Sequence, residues 1–242
     1  MLCLISLGLF DEKDISLRGL EAAKACSKLY LERYTTETRA TAEKLKKLTG
    51  RPVKELPRSG FEEQSGRLIS KAKTTDIGIF VGGDALSATT HISLLQEAKK
   101  AGLETRVIHG SSIFTAVAAT GLQLYKFGRT VTLVNSETPS VYSAISENLK
   151  AGLHTLVLLD IGMPAKAGLK ILMELEKKAG KGFLPRGLKV AVCCSLGSRE
   201  ETISYGPIGN LLKTRLPEGT AVIAIPGRLH FSEEEFLETF SL

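Results

Sequence analysis

The sequence predicts an α/β protein built as two α/β domains. Short apolar runs alternate with stretches of helical period along almost the whole chain, which is the pattern of strands joined by covering helices. The chain has 242 residues, 43% of them hydrophobic, enough material for two compact cores. Glycine and small polar residues collect just after several of the apolar runs, and in open α/β sheets that is where ligands sit.

The opening MLCLISLGLF reads as a buried first strand. No basic segment precedes its apolar run, and DEKD follows where a leader would need a small-residue cleavage site. Further runs, KLYLERY, DIGIFVG and TRVIHG, read as strands, separated by helical stretches over 14–27, 37–48, 61–73 and 87–101. Strands spaced by helices favour right-handed crossovers and a mainly parallel sheet, here forming a first domain over residues 1–110. The pattern blurs at SSIFTAVAATGLQLYKFG, which reads as a helix and linker, and resumes in a second domain over 111–242. There RTVTLV, LHTLVLLDI, LKVAVCCSLGS and GTAVIAIPG read as strands, with helices at SVYSAISENLKAG, over 164–178 and from Ser232 onward.

Several function classes are set aside by what the sequence lacks. No apolar run approaches the roughly 20 residues of a membrane helix. Cys3, Cys26, Cys193 and Cys194 show no C-x-x-C spacing, so neither a disulfide framework nor a zinc site is expected, and the setting is read as reducing and cytoplasmic. The net charge of +6 is spread over amphipathic segments, and without tryptophan or aromatic-interleaved basic stretches no direct nucleic-acid binding is expected. There is no P-loop, no G-x-G-x-x-G opening a helix, no H-E-x-x-H and no G-x-S-x-G.

Four strand ends carry the candidate ligand chemistry: SLGLFD, VGGDALS, IHGSSIF and CCSLGS. Glycine there lets a ligand approach the main chain. Asp84 in VGGDALS is the prominent acidic group, and the plainer reading makes it the N-cap of a helix over 85–99. His109 and His154 flank strands and read as ordinary hydrogen-bonded histidines. The residues alone lead to two α/β domains with glycine-rich strand ends, and to no reaction.

The segments LGLFDEKDISLRGLEAAK, GDALSATTH, VIHGSSIFTAVAATGLQLYKFGRTVTL, SENLKAGLHTLVLLDI and IPGRLHFSEEEFL together resemble the diphthine synthases, a branch of the tetrapyrrole-methylase-like (class III) methyltransferases. The resemblance covers nearly the whole chain in order. It implies two α/β domains with S-adenosyl-L-methionine in the inter-domain cleft and S-adenosyl-L-homocysteine as product. It also implies a homodimer, no metal, and translation elongation factor 2 as protein substrate, trimethylated on the amino group of its 3-amino-3-carboxypropyl-modified histidine. Matched motif by motif, cofactor contacts fall on Leu9, Asp84, Ser87, Ser112, Ile113, Leu159, Leu196 and Ala221, and no catalytic residue is implied. A methyltransferase acting on a tetrapyrrole or ribosomal RNA, and a cofactor-binding homologue without turnover, remain alternatives. This chain departs from the family where Thr-Pro-Gly-Asp-Pro becomes VGGDA and where Gly-Leu-Gly-Leu becomes SLGL, putting Ser6 at a glycine position. Loss of both prolines predicts a looser acidic loop.

Overall fold

The computed structural model describes residues 1–58, 65–135 and 138–242. The chain divides into two compact units, Met1–Ile113 and Phe114–Leu242.

In the first unit the elements run β1 (Leu2–Ser6), α1 (Leu17–Ala25), β2 (Lys28–Glu32), α2 (Ala42–Thr49), β3 (Val53–Leu56), α3 (Ser65–Ala72), β4 (Ile77–Val81), α4 (Ile92–Lys100) and β5 (Thr105–Ile108). All neighbouring strands are parallel, in the order β3-β2-β4-β1-β5. Every residue of β1 and β4 is buried, as expected for central strands covered on both faces. Alternation along β1 sends Leu2 and Leu4 to one face with Ile69 and Leu94, and Cys3 and Ile5 to the other with Ala23 and Leu45. Hydroxyl caps start two of the helices: Ser16 accepts from the Gly19 amide at 3.0 Å and Thr41 from the Lys44 amide at 3.2 Å.

The expected strands are present, and β3 is an addition. Its sequence VKEL is short, carries two exposed charged residues and lies between Pro52 and Pro57, so it has no apolar signature; it forms only because the edge of β2 is available to it. The helix expected over 61–73 is described from Ser65 to Ala72, and its residues 61–64 lie outside the described residues. The helix expected from Ser87 begins only at Ile92.

The second unit contains β6 (Val131–Leu133), α6 (Pro139–Lys150), β7 (Thr155–Leu159), α7 (Ala165–Ala179), β8 (Lys189–Cys194), β9 (Thr202–Pro207), α8 (Ile208–Leu211), β10 (Ala221–Ile225) and α9 (Phe231–Glu238). They follow the one-turn helix α5 (Ile113–Ala116) and short helical turns at Val117–Thr120 and Leu124–Lys126, where the sequence suggested a helix and linker. The sheet order is β6-β7-β10-β8-β9: β6 and β7 are parallel, and the remaining pairs are antiparallel. The strand β9 was not expected; it is an edge strand ending at Pro207, tolerated there because an edge needs no amide on its open side. Val157, Val192 and Ile223 pack with Ile145 of α6 and Leu169 and Leu172 of α7 into one core.

A buried polar hub ties the other parts of this unit together. Glu233 of α9 is 1% exposed and accepts from the Gln123 amide at 2.9 Å, the His230 amide at 2.7 Å, the Lys126 ammonium and His154 Nε2 at 2.9 Å. His154 Nδ1 accepts from the Gly227 amide at 2.9 Å, so the imidazole is the neutral Nε2–H tautomer. Burial, with the nearby Lys126 ammonium, lowers the His154 pKa despite the opposing pull of Glu233. Burial opposes the charge on Glu233, but its donors outweigh that and bring its pKa down to about 2.

Both groups titrate below their ordinary values, so their stabilisation is present at neutral pH. It starts to fall below 6.5, the ordinary histidine value. For Glu233 it is lost from 4.5 down through about 2. A depression of that size corresponds to stability on the order of 3 kcal/mol at neutral pH. Denaturant unfolding from neutral pH to about pH 3 is expected to show a steep loss in the wild type and a flatter profile in Glu233→Gln, starting from a lower plateau.

Candidate functional site

Three strand ends of the first unit meet above β1. Because β1 lies between β4 and β5, the segments that follow these strands converge although they are far apart in sequence. Gly8 and Gly83 exchange main-chain hydrogen bonds, Gly8 N to Gly83 O at 3.1 Å and Gly83 N to Gly8 O at 2.7 Å. Gly8 has φ of 83°, and a Cβ there would stand 2.5 Å from Asp14 Cβ, so only glycine serves. The Asp14 carboxylate in turn accepts from the Phe10 amide at 2.7 Å, fixing the main chain beside Leu9.

Asp84 is the centre of this arrangement. It is 8% exposed, and each carboxylate oxygen accepts twice: Oδ1 from the Leu86 amide at 3.0 Å and Ser87 Oγ at 3.4 Å, Oδ2 from His109 Nδ1 at 2.8 Å and the Gly110 amide at 3.2 Å. These fill the four acceptor positions of a carboxylate. Burial opposes the charge, but the bonds from Leu86, His109 and Gly110 prevail and hold the Asp84 carboxyl below its ordinary range. Asp84 therefore does not cap α4, whose N-cap is His91 with no side-chain cap bond. It closes a turn, with the Ser87 amide bonded to Asp84 O at 3.0 Å, and it clamps the segment after β5.

The peptide of Ala85, fully buried, is held on both sides. Its amide donates to Ser6 Oγ at 2.9 Å, and its carbonyl accepts from Thr89 Oγ1 at 2.7 Å and His91 Nδ1 at 2.9 Å. The expectation of a looser loop without its prolines thus meets a physical counterweight: hydrogen bonds here hold what proline would hold by covalent geometry. Ser6 does this from a position where the resemblance led one to expect glycine. Gly110 makes room for it, since a Cβ on Gly110 would lie 2.8 Å from Ser6 Cβ.

Of the residues singled out in the sequence, Leu9, Asp84, Ser87, Ser112 and Ile113 belong to these converging strand ends, with Ser112 buried and Leu9, Ser87 and Ile113 half-buried. Leu159, Leu196 and Ala221 lie together at one end of the second sheet: Ala221 faces Cys194 in the β8 ladder, Val222 faces Leu158 in β7, and Leu196 follows β8. There Ser195, with φ of 52°, anchors the turn by donating its amide to Thr220 O at 2.8 Å. Sequence reasoning placed Ser6 and His109 in strand-end segments, Ser6 as a departure at a glycine position and His109 as an ordinary hydrogen-bonded histidine, but gave neither its partner. No spacing signals them, because their partners lie 79 and 25 residues away and the sheet alone brings them together. Among the described residues no group of three or more His, Cys, Asp or Glu could hold a metal ion, and no helix is long and apolar enough to cross a membrane.

The fold and this site define a methyltransferase of the tetrapyrrole (corrin/porphyrin) methylase family, to which the chain belongs, its residues 1–212 matching that family. Within the family the chain is similar to diphthine synthases. The chain is 42% identical over 253 residues to the diphthine synthase of Methanocaldococcus jannaschii, covering 98% of each, and 40% identical over 251 residues to that of Methanococcus aeolicus, covering 98% of this chain and 97% of the relative. It is similar to a crystal structure of diphthine synthase with a TM-score of 0.93 and 34% identity, over 99% of this chain and 95% of the other.

The Ser6–Ala85 bond yields a direct test. Ser6→Ala strands a buried amide and is expected to lower stability by about 1–3 kcal/mol. Ala85 follows the first residue of the turn, a position that accepts proline, and Ala85→Pro removes the donor. The double variant should therefore lose less than Ser6→Ala alone, as read from denaturant midpoints. Additive losses would show that the bond contributes nothing.

Proposed function

We propose that this methyltransferase uses S-adenosyl-L-methionine to trimethylate the amino group of the 3-amino-3-carboxypropyl chain on the modified histidine of translation elongation factor 2, making diphthine and releasing S-adenosyl-L-homocysteine. The observation that carries this reading is likeness to diphthine synthases along nearly the full length of both chains. The site's chemistry is compatible with such a donor, which is a sulfonium and an ammonium at once: Asp84 stays ionised at the strand ends, and nothing lies within 4 Å of where a Cβ on Gly83 would be. With its acceptor positions filled, Asp84 acts on a cation through its field and through the loop it shapes.

We assign contacts with the donor to Leu9, Asp84, Ser87, Ser112 and Ile113 of the first unit and to Leu159, Leu196 and Ala221 of the second. Main-chain groups and shape, rather than side-chain charge, make the contacts of the apolar members. Methyl transfer from a sulfonium needs the amine's lone pair aligned with the methyl carbon in a site that excludes water, so positioning supplies most of the catalysis. We further propose that the protein works in the cytoplasm as a homodimer.

Mass spectrometry of the elongation factor peptide after incubation with this protein and S-adenosyl-L-methionine is expected to show three added methyl groups on the modified histidine. Stoichiometric binding of S-adenosyl-L-homocysteine by calorimetry, without any mass shift on that peptide, would instead support a binding homologue that does not turn over. Transfer to a tetrapyrrole or ribosomal RNA with none to the factor would move the acceptor elsewhere.

A further inference from the structure

We infer that His109 is the proton acceptor of the reaction, with Asp84 as the residue that orients it. This rests on the preceding reading of the acceptor as an amine. His109 Nδ1 lies 2.8 Å from Asp84 Oδ2, and the side chain is 69% exposed while that of Asp84 is 10% exposed. An ionised carboxylate can only accept, so Nδ1 carries the hydrogen. The lone pair then lies on Nε2, on the side of the ring away from Asp84. This is the arrangement by which a buried carboxylate sets the tautomer of a histidine that acts as a base.

Other acidic groups of this edge have neighbours of their own. Asp84 has its acceptor positions filled, Asp14 accepts from the Phe10 amide, Asp11 from the Lys13 amide at 2.9 Å, and Glu12, whose buried Oε2 makes no hydrogen bond, pairs electrostatically with the Lys44 ammonium at 3.4 Å. The segment carrying His109 is itself fixed, through the Gly110 amide on Asp84 and the close approach of Gly110 to Ser6. His109 thus presents a basic nitrogen from a rigid mount, beside residues assigned to the methyl donor.

An aliphatic amine is mostly protonated at neutral pH and has no lone pair to offer. His109 Nε2 takes one proton from the ammonium, breaking an N–H bond and leaving its electron pair on nitrogen. That pair forms the new N–C bond, while the pair of the broken S–C bond stays on sulfur. The methylated ammonium still carries a proton, which is removed in the same way before each later transfer, and the third transfer leaves a quaternary nitrogen with none. Between rounds the exposed imidazolium passes its proton to solvent.

The test combines a pH–rate profile with a spectroscopic readout that needs no turnover. In the ligand-free protein, imidazole nitrogen shifts should report the Nδ1–H tautomer of His109, and Asp84→Asn should shift the population toward Nε2–H. For His109→Ala, transfer to the modified elongation factor should fall about a hundredfold at neutral pH. The gap should narrow as pH rises towards the amine's own pKa, and added imidazole should restore part of the rate. Affinity for S-adenosyl-L-homocysteine should be unchanged. A loss that is constant across pH and insensitive to imidazole, an unaltered rate, or the Nε2–H tautomer in the wild type would each overturn the proposal alone. A wild-type protein that binds the product but methylates no modified factor would remove the acceptor reading and this proposal together.

Discussion

The first unit depends on keeping one buried carboxylate charged. An ionised group taken out of water is tolerated only if its lone pairs find donors, and Asp84 obtains four, from a turn it closes itself and from the segment after β5. Satisfying that charge pulls together strand ends that no local rule connects. The mutual bonds of Gly8 and Gly83 add the end of β1, and Ser6 adds the buried amide of Ala85. The result is a hydrogen-bonded rim built on parallel strands whose own positions are set by burial on both faces of the sheet.

The second unit solves a similar problem with a different outcome. Three segments that carry the family resemblance, YKFG, GLHTL and PGRLHFSEEEF, contribute Lys126, His154, Gly227 and Glu233 to a single buried hub. A carboxylate 1% exposed, flanked by an ammonium and by a neutral imidazole whose other nitrogen is occupied, has no atom left for a substrate. These three segments are architectural: they anchor α9 and the turn preceding β6 to the start of β7. The groups we assign to the reaction lie instead at the strand ends of the first unit.

The regular elements were largely legible because their signals are local. Short apolar runs mark β1, β2, β4, β5, β6, β7, β8 and β10, whereas the starts of α1 and α2 were placed only to within a few residues, their hydroxyl caps Ser16 and Thr41 being fixed by the structure. What escaped was set by neighbours. The edge strands β3 and β9 form because a partner offers open hydrogen bonds, which leaves little trace in four residues of VKEL. The late start of α4 reflects competition: Asp84, Thr89 and His91 use their side chains to hold a turn and the Ala85 carbonyl where a helix could have begun.

The sequence by itself determined that this is an α/β chain with glycine-rich strand ends, and its family, because hydrophobic period and motif order are properties of a string. It marked Asp84 as the acidic group to watch. Only the tertiary structure decided what that carboxylate does, since its decisive partners come from another strand end: it orders a loop and orients a histidine instead of capping a helix. The physical reason is strand order. Inserting β1 between β4 and β5 makes neighbours of residues that sequence distance hides, and hydrogen bonds across that gap exist only once the sheet has closed.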